Sequence, residues 1–187
     1  MLQNLLKIRS VREMARVEQR EFIRMSRLAV RMYGPDHRFT ADDLCELHRL
    51  WLVNVYPWAG EYRQVNVSKG GFPFAAAGLI PGLMHEFATD CLARHTPLRA
   101  SRGRDVAFAL AETHTELLLI HPFRDGNGRI ARLLALLMAL QAGIRKPEFD
   151  RMLERQKVEY FAAVQAGVDR NYEPMRQVFA AIIGDAI

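Results

Sequence analysis

A chain of 187 residues, half hydrophobic and a quarter charged, has the size and composition of one globular domain with a sizeable core; disordered, fibrous and disulfide-scaffold classes are excluded. The formal charge of +5 and pI of about 9.6 help acidic ligands, but the basic residues are scattered without a long block, which points to a soluble enzyme with dispersed arginines rather than a dedicated nucleic-acid surface. No apolar run approaches the roughly 20 residues that span a bilayer, and MLQNLLKIRS lacks a signal peptide's apolar segment. The expected setting is therefore the cytoplasm, or delivery as an effector if a secretion signal lies outside this sequence.

Val11 to Met32 has the apolar spacing of an amphipathic helix, closed by Gly34 and Pro35. Thr40 with Asp43 forms a capping box for a helix through LCELHRLWLVNV. The texture then changes to YPWAGEYRQVNVSKGGFPFAAAG, where β-branched alternation at Val65 and Val67 predicts a loop and a short hairpin turning at Lys69-Gly70-Gly71. Pro81 opens a helix to about His95, HTPLRASRGR is a loop, and Asp105 caps a helix from Val106 to about Leu119. After HPFRDGNGRIAR comes a strongly apolar helix to about Gln141, ended by Gly143, then helices from Phe149 to Val168 and from Pro174 to Gly184. Cys45 and Cys91 fall on apolar helical faces, as buried free thiols do, and neither has a metal-ligand spacing. The expected fold is a single all-α domain over 1–187 with one small β excursion.

HPFRDGNGRIAR, His121 to Arg132, puts glycines and charges between two buried helices. Gly126-Asn127-Gly128 followed by a helix suits an anion: the backbone folds tightly, and the helix start offers unpaired N–H groups and the positive dipole end. Arg129 and Arg132, three apart, share a face and can fork onto a polyphosphate. A carboxylate among phosphate binders, Asp125, is explained by a divalent metal such as Mg2+. His121 ends the preceding helix and can take a proton at neutral pH. Together these residues predict phosphoryl or nucleotidyl transfer.

The motif resembles that of the Fic family, H-x-F-x-D/E-G-N-G-R-x-x-R, at every specified position, and YPWAGEYRQVNVSKGGFPF resembles the family's flap; the similarity spans roughly Thr40 to Gln141. The resemblance implies a helical bundle with a β-hairpin flap, about residues 60–76, over an active-site loop at 121–129. It further implies a protein adenylyltransferase that moves AMP from ATP to a Ser, Thr or Tyr hydroxyl and releases pyrophosphate. His121 would be the base and Asp125 would hold Mg2+. The Gly126-Asn127-Gly128 backbone would cradle the phosphates, with Arg129 at the β-phosphate and Arg132 at the γ-phosphate. Phe123 would anchor the loop, and Arg124 would contribute at most a backbone contact. The flap, around Val67 to Phe74, would pair with an extended target segment by β-augmentation, with Lys69 and Gly70 at its tip touching the nucleotide. Leu118 stands where many relatives have Asn.

Family members are often inhibited by a helix bearing Ser/Thr-x-x-x-Glu-Gly/Asn, whose glutamate pairs with the arginine matching Arg132. No such motif occurs here: only Ser101 is followed four residues on by an acid, Asp105, and Val106 comes next. A small antitoxin-like partner supplying the glutamate is therefore expected. Two alternatives stand beside adenylyl transfer. Transfer of another nucleotide or phosphoryl group is one, although the kinase-like Doc relatives replace glycine and arginine with alanine and lysine at positions matching Gly126, Gly128 and Arg129. A non-catalytic anion or nucleic-acid binder is the other, but it would need neither His121 nor Asp125. His114, His37, His48, His85 and His95 are expected to be structural or solvated, and Trp51, Tyr56 and Trp58 to pack rather than stack on a base.

Overall fold

The computed structural model describes residues 2–100, 105–144 and 157–184. Helix α1 is Val11–Met32, with Ser10 Oγ accepting from the Glu13 amide at its start. Helix α2, Ala41–Leu52, begins with the predicted capping box: Thr40 Oγ1 accepts from the Asp43 amide and Asp43 accepts from the Thr40 amide. Strands β1, Ser68–Lys69, and β2, Phe72–Pro73, pair antiparallel with Lys69 opposite Phe72. Gly70 and Gly71 turn the hairpin, both at positive φ (57° and 81°), as a tight two-residue turn requires. The ladder is shorter than the alternation at Val65 and Val67 predicts. Neither valine lies in it, and only the Phe74 amide reaches back, to the Val67 carbonyl.

Helix α3 begins as Ile80–Glu86, widens into a π-helical stretch at Phe87–Leu92 and ends with Ala93–His95. The sequence predicts that span as one helix and gives no sign of the π stretch. Helix α4 is Val106–Ile120, capped by Asp105, and helix α5 is Asn127–Gln141. Helix α6, Lys157–Ala166, runs into a 3-10 turn at Gly167–Asp169, and α7 is Glu173–Ile183. The predicted start of α6 at Phe149, and residues 101–104 of the preceding loop, lie outside the described residues.

Helix α4 is buried almost all round: Leu110, Leu117, Leu118 and Ile120 are buried on different sides, and so are its polar Glu112, Thr113, His114 and Thr115. A helix buried on every side belongs in the middle. It packs on α7 and α5 and also touches α3 and α6, so the bundle is built around it. Its C-terminus and the start of α5 meet at the HPFRDGNG turn, which puts the polar motif at an edge of the core. Among the described residues no helix is long and apolar enough to cross a membrane.

Candidate active site

A cleft of about 570 Å³ opens over the α4–α5 turn. Its floor is His121 and Arg124 to Arg129, its rim Val67 to Lys69 and Phe74 of the flap, and its far wall Tyr160, Phe161 and Val164 of α6, with Arg132 between. The structure thus brings together Lys69, His121, Arg124, Asp125, Gly126, Asn127, Gly128, Arg129 and Arg132. Gly70 does not line the cleft; it sits in the exposed turn beyond Lys69.

His121 is the C-cap of α4, in left-handed backbone (φ 53°, ψ 58°), which is uncommon for a residue with a Cβ. Its ring stacks on Phe74 of the flap, centroids 3.7 Å apart. Nδ1 lies 3.1 Å from the Leu118 carbonyl, so Nδ1 carries the proton and Nε2 the lone pair. The bond uses the Leu118 backbone and so does not depend on the side chain at that position. Burial, with lesser contributions from Arg63 and Lys69, pushes the imidazole pKa down to about 4, against the Leu118 hydrogen bond. The ring is neutral at physiological pH.

The loop after it is held from beneath. Asn127 Oδ1 accepts from the Phe123 amide (2.8 Å) and its Nδ2 donates to the Phe123 carbonyl (2.7 Å). Asn127 therefore spends its side chain on the loop and offers the cleft only backbone. Phe123 is fully buried and stacks on His48 at 4.0 Å, the expected inward anchor. Gly126, at φ 84°, lies against Trp51: a Cβ there would come within 2.6 Å of the indole. The Gly126 amide is taken by Asp125 Oδ1, and the Gly126 carbonyl accepts from the Arg129 and Ile130 amides. Among the described residues the Asn127 and Gly128 amides have no acceptor, so they are the two free donors at the positive end of α5.

Asp125 is half exposed. With Oδ1 on the Gly126 amide, its other oxygen has no partner among the described residues, a donor suited to a hard cation shared with phosphate oxygens.

Arg129 and Arg132 diverge to opposite walls. Arg129 Nη1 pairs with Glu18 of α1 at 2.7 Å, its guanidinium lies 4.2 Å over Trp51, and Asp125 is 3.7 Å away. Glu18, buried, also accepts from the Tyr56 hydroxyl. Arg132 turns toward α6, where its charge faces Tyr160, and among the described residues no carboxylate pairs with it. Tyr160 in turn meets buried His114 at 2.5 Å. Removing Glu18 strands Arg129 and Tyr56, so Glu18→Ala should lower stability by about 2–4 kcal/mol in urea unfolding; a change under about 0.5 kcal/mol would show the pair to be of surface strength.

Four contributors escape sequence reasoning. Glu18 reads as one more acid on an amphipathic helix, and Tyr160 as one more apolar-face residue. His48, read as structural or solvated, donates from Nε2 to the Asp125 carbonyl (3.1 Å) and accepts at Nδ1 from the Gly60 amide (2.8 Å), which ties the loop to α2. Arg63 sits in a segment that reads as loop and strand. No local signal marks any of them. His114 is packed, with Phe179 and Tyr160 around it, as expected. Trp51 and Tyr56 are buried, and Tyr56 stacks on Trp58 at 4.5 Å. Cys45 and Cys91 are free thiols.

One cluster that the spacing does not flag lies away from the cleft. Cys91, His95 and Glu112 bring ligand-type atoms within 4.8 Å of one another. His95 Nε2 is already 2.6 Å from one Glu112 oxygen and Arg94 is 3.3 Å from the other. Both oxygens of the Glu112 carboxylate are thus already taken, one by buried His95 and one by half-exposed Arg94.

A neutral imidazole, two amides at a helix start, an arginine with no carboxylate partner among the described residues and a half-exposed carboxylate thus surround one cleft. The Fic/DOC family model matches residues 38–139, and the chain belongs to that family. It is 30% identical to the protein adenylyltransferase VbhT of Bartonella schoenbuchensis over 155 residues, covering 83% of this chain and 32% of that protein. The chain thus spans about a third of the length of that relative. Among solved structures, a BepC protein of Bartonella tribocorum with bound AMPPNP superposes with TM-score 0.79 at 20% identity, covering 97% of this chain and 91% of that one. The N-terminal Fic domain of a VirB-translocated effector of Bartonella quintana with bound ADP gives 0.78 at 25% identity, covering 97% and 90%.

Proposed function

We propose that the protein is an adenylyltransferase that moves AMP from ATP to a Ser, Thr or Tyr hydroxyl of a target protein. The observation that carries this reading is the neutral, flap-stacked His121, its Nδ1 proton committed to Leu118, beside the two free amides of Asn127 and Gly128. The names of the curated relatives and the nucleotides in the related structures support it.

In this mechanism the amides of Asn127 and Gly128 and the α5 dipole bind the phosphate chain, and Arg132 takes the γ end. Asp125 would hold Mg2+, which neutralises phosphate charge when bound. A target hydroxyl enters beside His121 and gives its proton to Nε2. The hydroxyl oxygen forms a bond to the α-phosphorus, the bond from that phosphorus to the bridging oxygen breaks, and pyrophosphate leaves with the electron pair. Leu118, Phe161 and Val164 give the cleft apolar wall against which a flat base can rest. The exposed β1 residues Ser68 and Lys69 offer backbone to an extended target segment. Arg132, with no acidic partner among the described residues, leaves a place for a glutamate from a small inhibitory protein.

ATP labelled separately at the α- and γ-phosphates tests the reaction. Label from the α position should appear on protein in the presence of magnesium and label from the γ position should not; the reverse pattern would make the protein a phosphotransferase. Arg132→Ala should weaken ATP binding by about tenfold or more and ADP binding by less than about threefold, since it removes one charged contact at the γ end. Equal losses by calorimetry would refute its place there.

A further inference from the structure

Helix α4 ends with carbonyls that have no intrahelical partner, as every helix does. Here the flap segment takes them. The Leu119 carbonyl accepts from the Ala75 amide, and the Ile120 and His121 carbonyls accept from one guanidinium, that of Arg63, at 3.3 Å (Nη2) and 2.7 Å (Nε). The same guanidinium donates to the flap's own carbonyls, Val65 at 2.6 Å through Nη1 and Ala75 at 2.5 Å through Nη2. The Arg63 amide closes the set on the Pro122 carbonyl at 2.8 Å. Arg63 is 3% exposed, and among the described residues it has no carboxylate partner.

Burying an arginine without a counter-ion is costly. What compensates is a full set of carbonyl acceptors at the negative end of a helix, where a cation is favoured. The arrangement also meets a specific need. His121 occupies the left-handed region, where a residue with a Cβ is strained by about 1–3 kcal/mol, and its own carbonyl and the two on either side of it are the ones Arg63 holds. The flap that supplies Arg63 also supplies Phe74, stacked on the His121 ring. One planar group thus fixes the backbone turn that aims the imidazole and the strand base that covers it.

We propose that Arg63 is a positioning residue for the reaction: it caps α4 from the flap segment, holds His121 in its left-handed turn and locks the flap to it as one unit. Arg63 does not line the cleft, so it acts through His121. Lysine cannot replace it, because one ammonium cannot face four carbonyls in a plane.

The inference rests on His121 as the base, and its test has a readout that does not depend on turnover. In Arg63→Met and Arg63→Lys, kcat should fall about 100-fold, the cost of a misaimed group, while KM for ATP stays within about threefold because the amides and Arg132 are untouched. The imidazole titration of His121, followed by NMR in the folded variant, should move upward from its wild-type value. In both variants the ring would lose its enclosure, and in Arg63→Met also the nearby Arg63 charge, while Lys69, the other charge facing it, remains. A folded variant with wild-type kcat and an unmoved His121 titration would overturn the proposal. Should Arg63→Met not fold, Arg63→Lys carries the test; and if neither folds, a wild-type Arg63 Nε proton that exchanges with solvent as fast as an exposed arginine would overturn it, because the bond to the His121 carbonyl would then not be held. A protein that transfers nothing yet shows the titration shift would keep the positioning claim and lose the adenylyltransferase one.

Discussion

Replacing His121 with alanine should reduce transfer by about 10²–10⁴-fold, the usual contribution of a general base, and leave ATP affinity within about threefold of wild type. The split follows from the geometry. The phosphate donors are the Asn127 and Gly128 amides and Arg132, and the loop carrying them is fixed by Asn127, Phe123 and His48, none of which depends on the imidazole. The pH dependence carries the same information. A base must be unprotonated to act, and His121 is neutral down to about pH 4. The wild-type rate should therefore show no acid limb near 6.5, the ordinary histidine value; an inflection there would mean a solvated imidazole or another base. Stability declines over that window for a separate reason. Buried His48 and His114 also titrate at about 4 when folded, whereas an unfolded chain binds those protons near 6.5. The unfolded state takes up more protons below 6.5, so stability falls as pH drops toward 4. Rates must be read where circular dichroism shows the fold intact.

Gly126→Ala should be the most damaging one-methyl change in the loop. The position combines φ 84° with an indole 2.6 Å from any added Cβ, and that indole is buried and pinned by its Nε1 bond to the Glu18 carbonyl. Left-handed strain and overpacking together should cost about 2–5 kcal/mol, which for a domain of this size lowers the melting temperature by on the order of 10 °C. Transfer should fall as well, because Trp51 can yield only by pushing the loop off α2 or releasing Arg129. Gly128→Ala is the internal control: its nearest neighbour would be an Arg132 nitrogen at 3.5 Å, and its φ is not positive. It should leave stability unchanged or slightly raised, as alanine in a helix does. Equal melting temperatures for the two variants would remove Gly126 from its place against Trp51.

What could be seen in the sequence was local. The capping box at Thr40 and Asp43, the cap at Asp105 and the helix ended after Met32 are set by neighbours within four residues, and each stands where expected. The HPFRDGNG turn was legible for the same reason: glycines and charges between two apolar helices have few structural uses. The rest depends on groups far apart in the chain. Arg63 finds its acceptors 57 and 58 residues on, His48 reaches Asp125 across 77, and Glu18 reaches Arg129 across 111. Periodicity cannot report such partners. Arg129 shows the consequence. Helical spacing puts it on one face with Arg132, but tertiary packing gives its charge to Glu18 and sends the two arginines to different walls.

A crystal structure of the protein with magnesium and a non-hydrolysable ATP analogue tests the central claim most directly. The triphosphate should lie on the Asn127 and Gly128 amides with its γ end at Arg132, and the α-phosphorus should face His121 Nε2 with room between them for one hydroxyl oxygen. A triphosphate bound elsewhere, or an α-phosphorus turned away from that nitrogen, would contradict it.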